Sequence, residues 1–235
     1  MKDSGITRRK ERKDREREAR RQDILRSAIK VFGENGFVKT SMELVADDAA
    51  LAVGTLYRYY KSKEELYVSI VFDAIALMHE GLEEIAESGQ APCRKLEEIW
   101  HFFYRFYEEN PMYYHALLFL HDPGFAGAFS REAHDSVERF SSKNFRLLAR
   151  VVQQGIDAGA FYPDKPQEVA DFLWSLFVGL VNLAETRKQF GGNASDLGQL
   201  HRAMWQKIQR TTVVPGLKAS RRSGRPRLER PAGAS

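Results

Sequence analysis

The chain has one cysteine, Cys93, in 235 residues. A single thiol excludes an intramolecular disulfide framework and fits a reducing, cytoplasmic compartment. No apolar run reaches membrane-spanning length without a charge inside it, and the basic N-terminus lacks the apolar stretch of a signal peptide, so no membrane partner is expected. No alternating, strand-like run and no internal repeat appears. Catalytic signatures are missing as well: there is no G-x-S-x-G, no P-loop and no G-x-G-x-x-G. The six histidines (His79, His101, His115, His121, His134 and His201) show neither H-x-x-x-H spacing nor a neighbouring cysteine pair, so no zinc motif is present. Arg94 beside Cys93 favours a lowered thiol pKa, but no catalytic base accompanies it in sequence. No enzyme, metal or cofactor is therefore expected.

What the chain does have is apolar content and helical punctuation. Hydrophobic residues make up 43%, enough for a real core in one or two domains. Helical patterns run through about 63–88, 92–109, 111–120, 126–158, 165–190 and 194–213. Pro and Gly fall between them, at Pro92, Pro111, Pro123-Gly124, Gly159 and Gly191-Gly192, where they act as breaks. The fold class is all-α. Charge is segregated. Residues 1–23 carry +4 and residues 216–235 carry +5, while the whole chain is only +4, so the stretch between is acidic. An acidic body with basic ends is a pattern suited to a polyanion.

Residues 24–66 are the most informative. Ile24, Ala28, Val31 and Phe32 share one helical face. Gly36 is placed to end that helix in a positive-φ conformation, with Phe37 folding back on it. Thr40 and Glu43 have capping-box spacing and start a second helix; Ser62 and Glu65 repeat it for a long fourth helix. Between them a short third helix covers about Val53–Tyr60. Two short helices with a tight turn, propped by a first, make a helix-turn-helix.

The run Thr40-Ser41, Val45-Ala46, Gly54-Thr55-Leu56-Tyr57-Arg58-Tyr59-Tyr60 and Ser62-Lys63-Glu64-Glu65-Leu66 resembles the TetR family of bacterial regulators. That family's DNA domain ends its third helix with G-T-x-Y-x-[HY]-[FY] and continues into S-K-E-x-L. The resemblance implies a third helix in the major groove of a DNA operator. It places Thr40 and Lys63 at phosphates, Val53, Thr55 and Tyr57 toward the groove, Tyr59 at the backbone, and Arg58 at a guanine or a phosphate. Leu56 and Tyr60 match a buried stripe instead. The chain departs from the family at Ala50 and Ala52, where Gly and Ser or Thr are usual, and at Val53, which cannot make a bidentate base contact. Ala52 also forgoes a side-chain cap on the third helix.

The resemblance implies four parts: a basic arm (1–20), the DNA-binding head (21–66), a helical ligand-binding and dimerisation body (67–214) and a basic tail (215–235). In the tail, Gly224-Arg225-Pro226 resembles an AT-hook core with Ser223 in place of the usual Arg; a disordered basic tail is the competing reading. The arm is either an extension of the first helix or a frayed segment. In the body, segment 99–120 is aromatic on more than one face. Phe103, Phe106, Tyr107, Tyr114 and Trp174 are the candidate lining of a cavity for a hydrophobic or aromatic small-molecule effector; a bulky core is the plain alternative. Segment 169–183 is apolar nearly all round and the helix after it has one apolar stripe. Phe172, Leu176, Gly179, Leu183, Leu200, Met204 and Trp205 are the candidate homodimer interface, which the symmetry of a palindromic operator would match. The expected function is a homodimeric, ligand-responsive repressor. The alternatives are a ligand-independent protein that coats DNA through its basic ends, and a ligand-binding module whose head has lost DNA.

Overall fold

A computed structural model describes residues 3–119, 131–190 and 197–214. The AT-hook-like segment at 221–227 and the start of the helix expected from 126 lie outside them. Nine helices follow one another in the described residues: α1 (Asp3–Lys39), α2 (Met42–Asp48), α3 (Val53–Tyr59), α4 (Lys63–Glu87), α5 (Pro92–Glu109), α6 (Pro111–Phe119), α7 (Arg131–Asp157), α8 (Pro166–Gln189) and α9 (Leu197–Thr212). Among these residues there is no strand, only an isolated antiparallel bridge between Phe161 and Val213. The basic N-terminal run continues α1 as helix, its residues 11–20 all exposed and braced by pairs such as Arg12–Glu16 at 3.4 Å.

α1 is broken at Gly36, whose φ of 71° and ψ of 169° are open to glycine alone. Phe37 then stacks on Phe32 with ring centroids 5.8 Å apart and meets Tyr67 edge-on. The cap of α2 differs from the expected one. Ser41, not Thr40, is the N-cap, and its Oγ accepts from the Leu44 N–H at 3.3 Å. Ser62 caps α4 as its spacing requires, accepting from Glu65 N–H at 3.2 Å, while the Glu65 carboxylate accepts from Lys61 N–H at 2.6 Å.

Between α2 and α3, Ala50 has a φ of 52°. For a residue with a Cβ the left-handed region costs about 1–2 kcal/mol. Ala50→Gly removes that cost but adds flexibility to the unfolded chain, worth about 0.5–1 kcal/mol the other way. The expected net gain is about 0.5–1 kcal/mol, read as a raised urea midpoint with an unchanged slope.

Two cores form. The first gathers Ile24, Ala28, Phe32, Val45, Ala46, Leu56 and Tyr60 from the head with Leu66, Tyr67, Ile70, Val71 and Ile75 of α4 and Ala116 of α6. It therefore reaches past the 66/67 boundary expected for the head. The second core fills the body, with Trp100, Phe103, Phe106, Tyr114, Val151, Leu173 and Phe177 at its centre. Tyr113 and Leu117 on α6 pack against both. α6 thus joins head to body alongside α4. By length and composition α8 passes for a membrane-spanning helix. Here it is a bundle helix that buries Val169, Ala170, Leu173, Phe177, Leu180, Val181 and Ala184.

Polar ties fix the body. The Lys95 ammonium, 7% exposed, donates to Ala86 O at 2.6 Å in the last turn of α4, where a cation suits the helix dipole. Trp100 Nε1 donates to His201 O at 3.1 Å, and His201 Nε2 lies 3.0 Å from Trp100 O, so α5 and α9 are cross-tied. Burial holds the His201 ring neutral, its pKa lowered to about 4.

Candidate functional site

The head's third helix has an inside and an outside. Leu56 is fully buried and Tyr60 is 4% exposed, as their spacing requires. Tyr57, at 41% exposure, Arg58 and Gly54 point outward. Thr55 and Tyr59 are half-buried, and Val53 is half-buried against the head's core. Arg58 Nη2 donates to Thr55 Oγ1 at 3.0 Å, which aims the guanidinium along the outer face. Nothing lies within 4 Å of a Cβ built on Gly54, so the protein's own packing leaves α3 bare there. Ala52 caps α3 with no side-chain bond, as its side chain dictates.

Two residues expected at phosphates are turned inward. Thr40 is 2% exposed, and its hydroxyl donates to Gly36 O at 2.8 Å. The Lys63 ammonium donates to Phe37 O and Thr40 O, each at 3.0 Å, and to Val38 O at 3.4 Å. It also lies 4.6 Å from the Phe37 ring centroid. An ammonium has three protons, and these carbonyls take all of them. Lys63 thus holds the α1–α2 link to the start of α4. Lys39 at the end of α1, Arg58 on α3 and Lys61 just past α3 are exposed cations of the head. No motif marks Lys39 and Lys61; their only signal in the sequence is a charge at the ends of the head's helices.

In the body a cavity of about 520 Å³ opens between α4, α5, α6, α7 and α8. Of the five candidate lining residues, Phe103 and Trp174 line it; Phe106, Tyr107 and Tyr114 do not. Phe106 and Tyr114 are core residues. Tyr114 is ringed edge-on by Tyr107, Trp174 and Phe177. Tyr107 instead donates its hydroxyl to Glu185 at 3.0 Å, and burial with that carboxylate pushes its pKa up to about 12. The cavity's remaining polar wall, with His134, Glu138, Ser141, Asn144 and Asp171, comes from α7 and α8. Asn144, 7% exposed, lies 2.8 Å from His79 Nδ1 through its Oδ1 and donates to Ile75 O at 3.3 Å, tying α7 to α4 at the cavity wall.

On α8 the outward positions are Phe172, 53% exposed, Leu176, half-buried, Gly179, exposed, and Leu183, 44% exposed. They fall at i, i+4, i+7 and i+11 and make one stripe. Leu200 and Met204 on α9 are half-buried. Trp205 departs from the expected interface: it is 6% exposed in the protomer's own core and donates Nε1 to Glu97 at 3.2 Å. Cys93 is half-buried, and desolvation raises its thiol pKa, so the lowering expected from Arg94 does not occur. Among the described residues no group of three or more His, Cys, Asp or Glu is placed to hold a metal.

Residues 24–70 match the family model of bacterial regulatory proteins, tetR family. The chain is 23% identical over 146 residues to the HTH-type transcriptional repressor KstR2 of Mycolicibacterium smegmatis, covering 62% of this chain and 69% of that protein. It is 30% identical over 136 residues to the repressor KstR of Mycobacterium tuberculosis, covering 58% and 60%. Among solved structures, a putative fatty acid metabolism regulator of Clostridium perfringens superposes with a TM-score of 0.64 at 18% identity, over 82% of this chain and 99% of that one. SmeT, the repressor of a Stenotrophomonas maltophilia multidrug efflux pump, superposes at 0.64 and 19%, over 85% and 93%; it is also known as a complex with triclosan. The head of the chain, residues 24–70, carries the helix-turn-helix described by the model of bacterial regulatory proteins of the tetR family.

Proposed function

We propose that the protein is a homodimeric transcriptional repressor that leaves a palindromic operator when a small apolar effector enters its body. The observation that carries this is the outer face of α3, where Tyr57 and Arg58 stand free of the core while Leu56 and Tyr60 anchor the helix from behind. In the major groove Arg58 reads a base or binds a phosphate, Tyr57 and Thr55 face the groove, and Tyr59 meets the backbone. Gly54 lets the helix backbone come close. Lys39 and Lys61 take the phosphate role first expected of Thr40 and Lys63. The relatives named as repressors support the direction of control.

The α8 stripe, with Leu200 and Met204 of α9, pairs two copies. Their recognition helices then lie about 34–36 Å apart, one turn of DNA. The cavity supplies the effector site, a reading the SmeT–triclosan complex supports. Leu117 lines that cavity and also packs on the head's core. An effector that pushes on Leu117 therefore moves α6 and α4, and with them the head. A coupling of about 1–3 kcal/mol suffices for such a switch. The protein acts in the cytoplasm, where bacterial DNA lies.

The test is selection from random duplex DNA at physiological salt with competitor present. Enrichment of a two-half-site palindrome is the expected result. Enrichment of A·T-rich DNA with no palindrome would favour coating through the basic ends, and no enrichment would remove the DNA-reading role.

A further inference from the structure

The cavity has a sign of charge. Its deep wall is apolar, built by Ile75, Met78, Leu82 and Phe103. Its outer wall carries two carboxylates, Glu138 on α7 and Asp171 on α8, and no lysine or arginine lines it among the described residues. Neither carboxylate is ion-paired with a described lysine or arginine; Asp171 accepts a hydrogen bond from Gln167 at 3.2 Å. Arg146 does not line the cavity; with the outer sides of Glu138 and Asp171 it borders an adjoining depression, where it donates to the Ser142 hydroxyl at 3.0 Å and forms no ion pair with either carboxylate. At the inner end Asn144 uses one N–H on Ile75 O and its carbonyl toward His79, and a second N–H remains. A carboxylate ligand entering this space would meet two like charges at the mouth of an apolar wall, a repulsion that salt weakens because both side chains are exposed. A cation would meet opposite charges in the same place.

We propose that the cavity takes a hydrophobic amine, with its apolar body against Met78 and Phe103 and its ammonium between Glu138 and Asp171. The inference rests on reading the cavity as the effector site, and it adds the chemical class of the effector. The amine's N–H groups suit carboxylate and serine oxygens, which accept hydrogen bonds, and its charge neutralises the wall.

The test uses three probes with one skeleton: 4-(2-naphthyl)butylamine, the corresponding alcohol and the corresponding carboxylate, each titrated calorimetrically into the full-length protein. The amine should bind about tenfold more tightly than the alcohol, and the carboxylate about tenfold more weakly than the alcohol. In Glu138→Gln/Asp171→Asn the three affinities should converge while that of the alcohol stays unchanged; both side chains are exposed, and a retained urea midpoint checks the fold. Ser175→Trp, which adds bulk at the cavity's lining, should weaken binding of all three. The proposal is overturned if the carboxylate binds as well as the amine, if the double variant keeps the original order, if Ser175→Trp leaves all three affinities unchanged, or if no probe binds. Repeating the titrations on operator-bound protein separates the two readings. An amine that binds without releasing DNA sinks the effector role and leaves the ligand class standing. Release by the carboxylate alone does the reverse.

Discussion

Phe172→Asp combined with Leu183→Asp is expected to make the protein monomeric and to lower its affinity for a selected palindromic duplex by about a thousandfold, the scale on which linking two binding modules raises avidity. The cause is the two-faced apolar character of α8. One face is filled by the body core, and the stripe on the other leaves Phe172, Gly179 and Leu183 exposed, with Leu176 packed only partly against that core. Nothing lies within 4 Å of a Cβ built on Gly179, so a second helix can approach closely there. Two aspartates at exposed positions leave the protomer's own packing alone and place like charges across the two-fold axis of a dimer. Sedimentation equilibrium reads the assembly, and fluorescence anisotropy reads the operator. Binding to an isolated half-site should be unchanged, which separates loss of pairing from loss of folding. A variant that remains dimeric would move the interface elsewhere on the body.

Arg58→Ala should weaken operator binding by about 10- to 100-fold, corresponding to the roughly 1–3 kcal/mol of a bidentate base contact. The exposed guanidinium is held by the Thr55 hydroxyl at 3.0 Å, an arrangement that costs little to order on binding. If Arg58 reads guanine, one position of each half-site should lose its preference in a repeated selection. If it binds phosphate, all sequences weaken alike and the salt slope falls by about 0.9. Wild-type affinity for this variant would remove α3's outer face from the interface. Arg26 on α1, exposed and paired with Asp23, supplies a control substitution expected to change little.

The sequence carried the helices because their boundaries are local chemistry. Gly36 ends α1 through a backbone angle glycine alone tolerates, and Ser62 starts α4 through a hydroxyl three residues before Glu65. The caps of α2 show where local reading runs out. Thr40 and Ser41 are adjacent hydroxyls, and which one turns inward depends on the direction in which the chain leaves Gly36. Lys63 could not be read at all, since its three carbonyl partners lie more than twenty residues earlier in the chain. The cavity was half legible for a similar reason. Aromatic density drew attention to α5, yet Phe106 and Tyr114 are spent on the core. The wall that gives the cavity its charge comes from α7 and α8, whose polar periodicity reads as an ordinary solvated face until the two are laid side by side. Trp205 misled because an apolar stripe does not say which of two neighbours it will meet.

The head is finished by a residue that comes about fifty positions after its last helix begins. Ala116 of α6 closes its core, and the Met112 sulfur would lie 2.8 Å from a Cβ at Gly33. This makes the helix-turn-helix a poor portable part. A chimera that carries only residues 1–75 onto another helical body leaves an Ala116-sized opening in the head and a bare Gly33 groove. Any recombination that swaps operator specificity between such proteins has to move α6 with the head, or re-match Gly33 to the side chain the new body offers. The helix-turn-helix and the cavity are thus tied together in this chain through one short helix, whose Tyr113 and Leu117 pack on both cores.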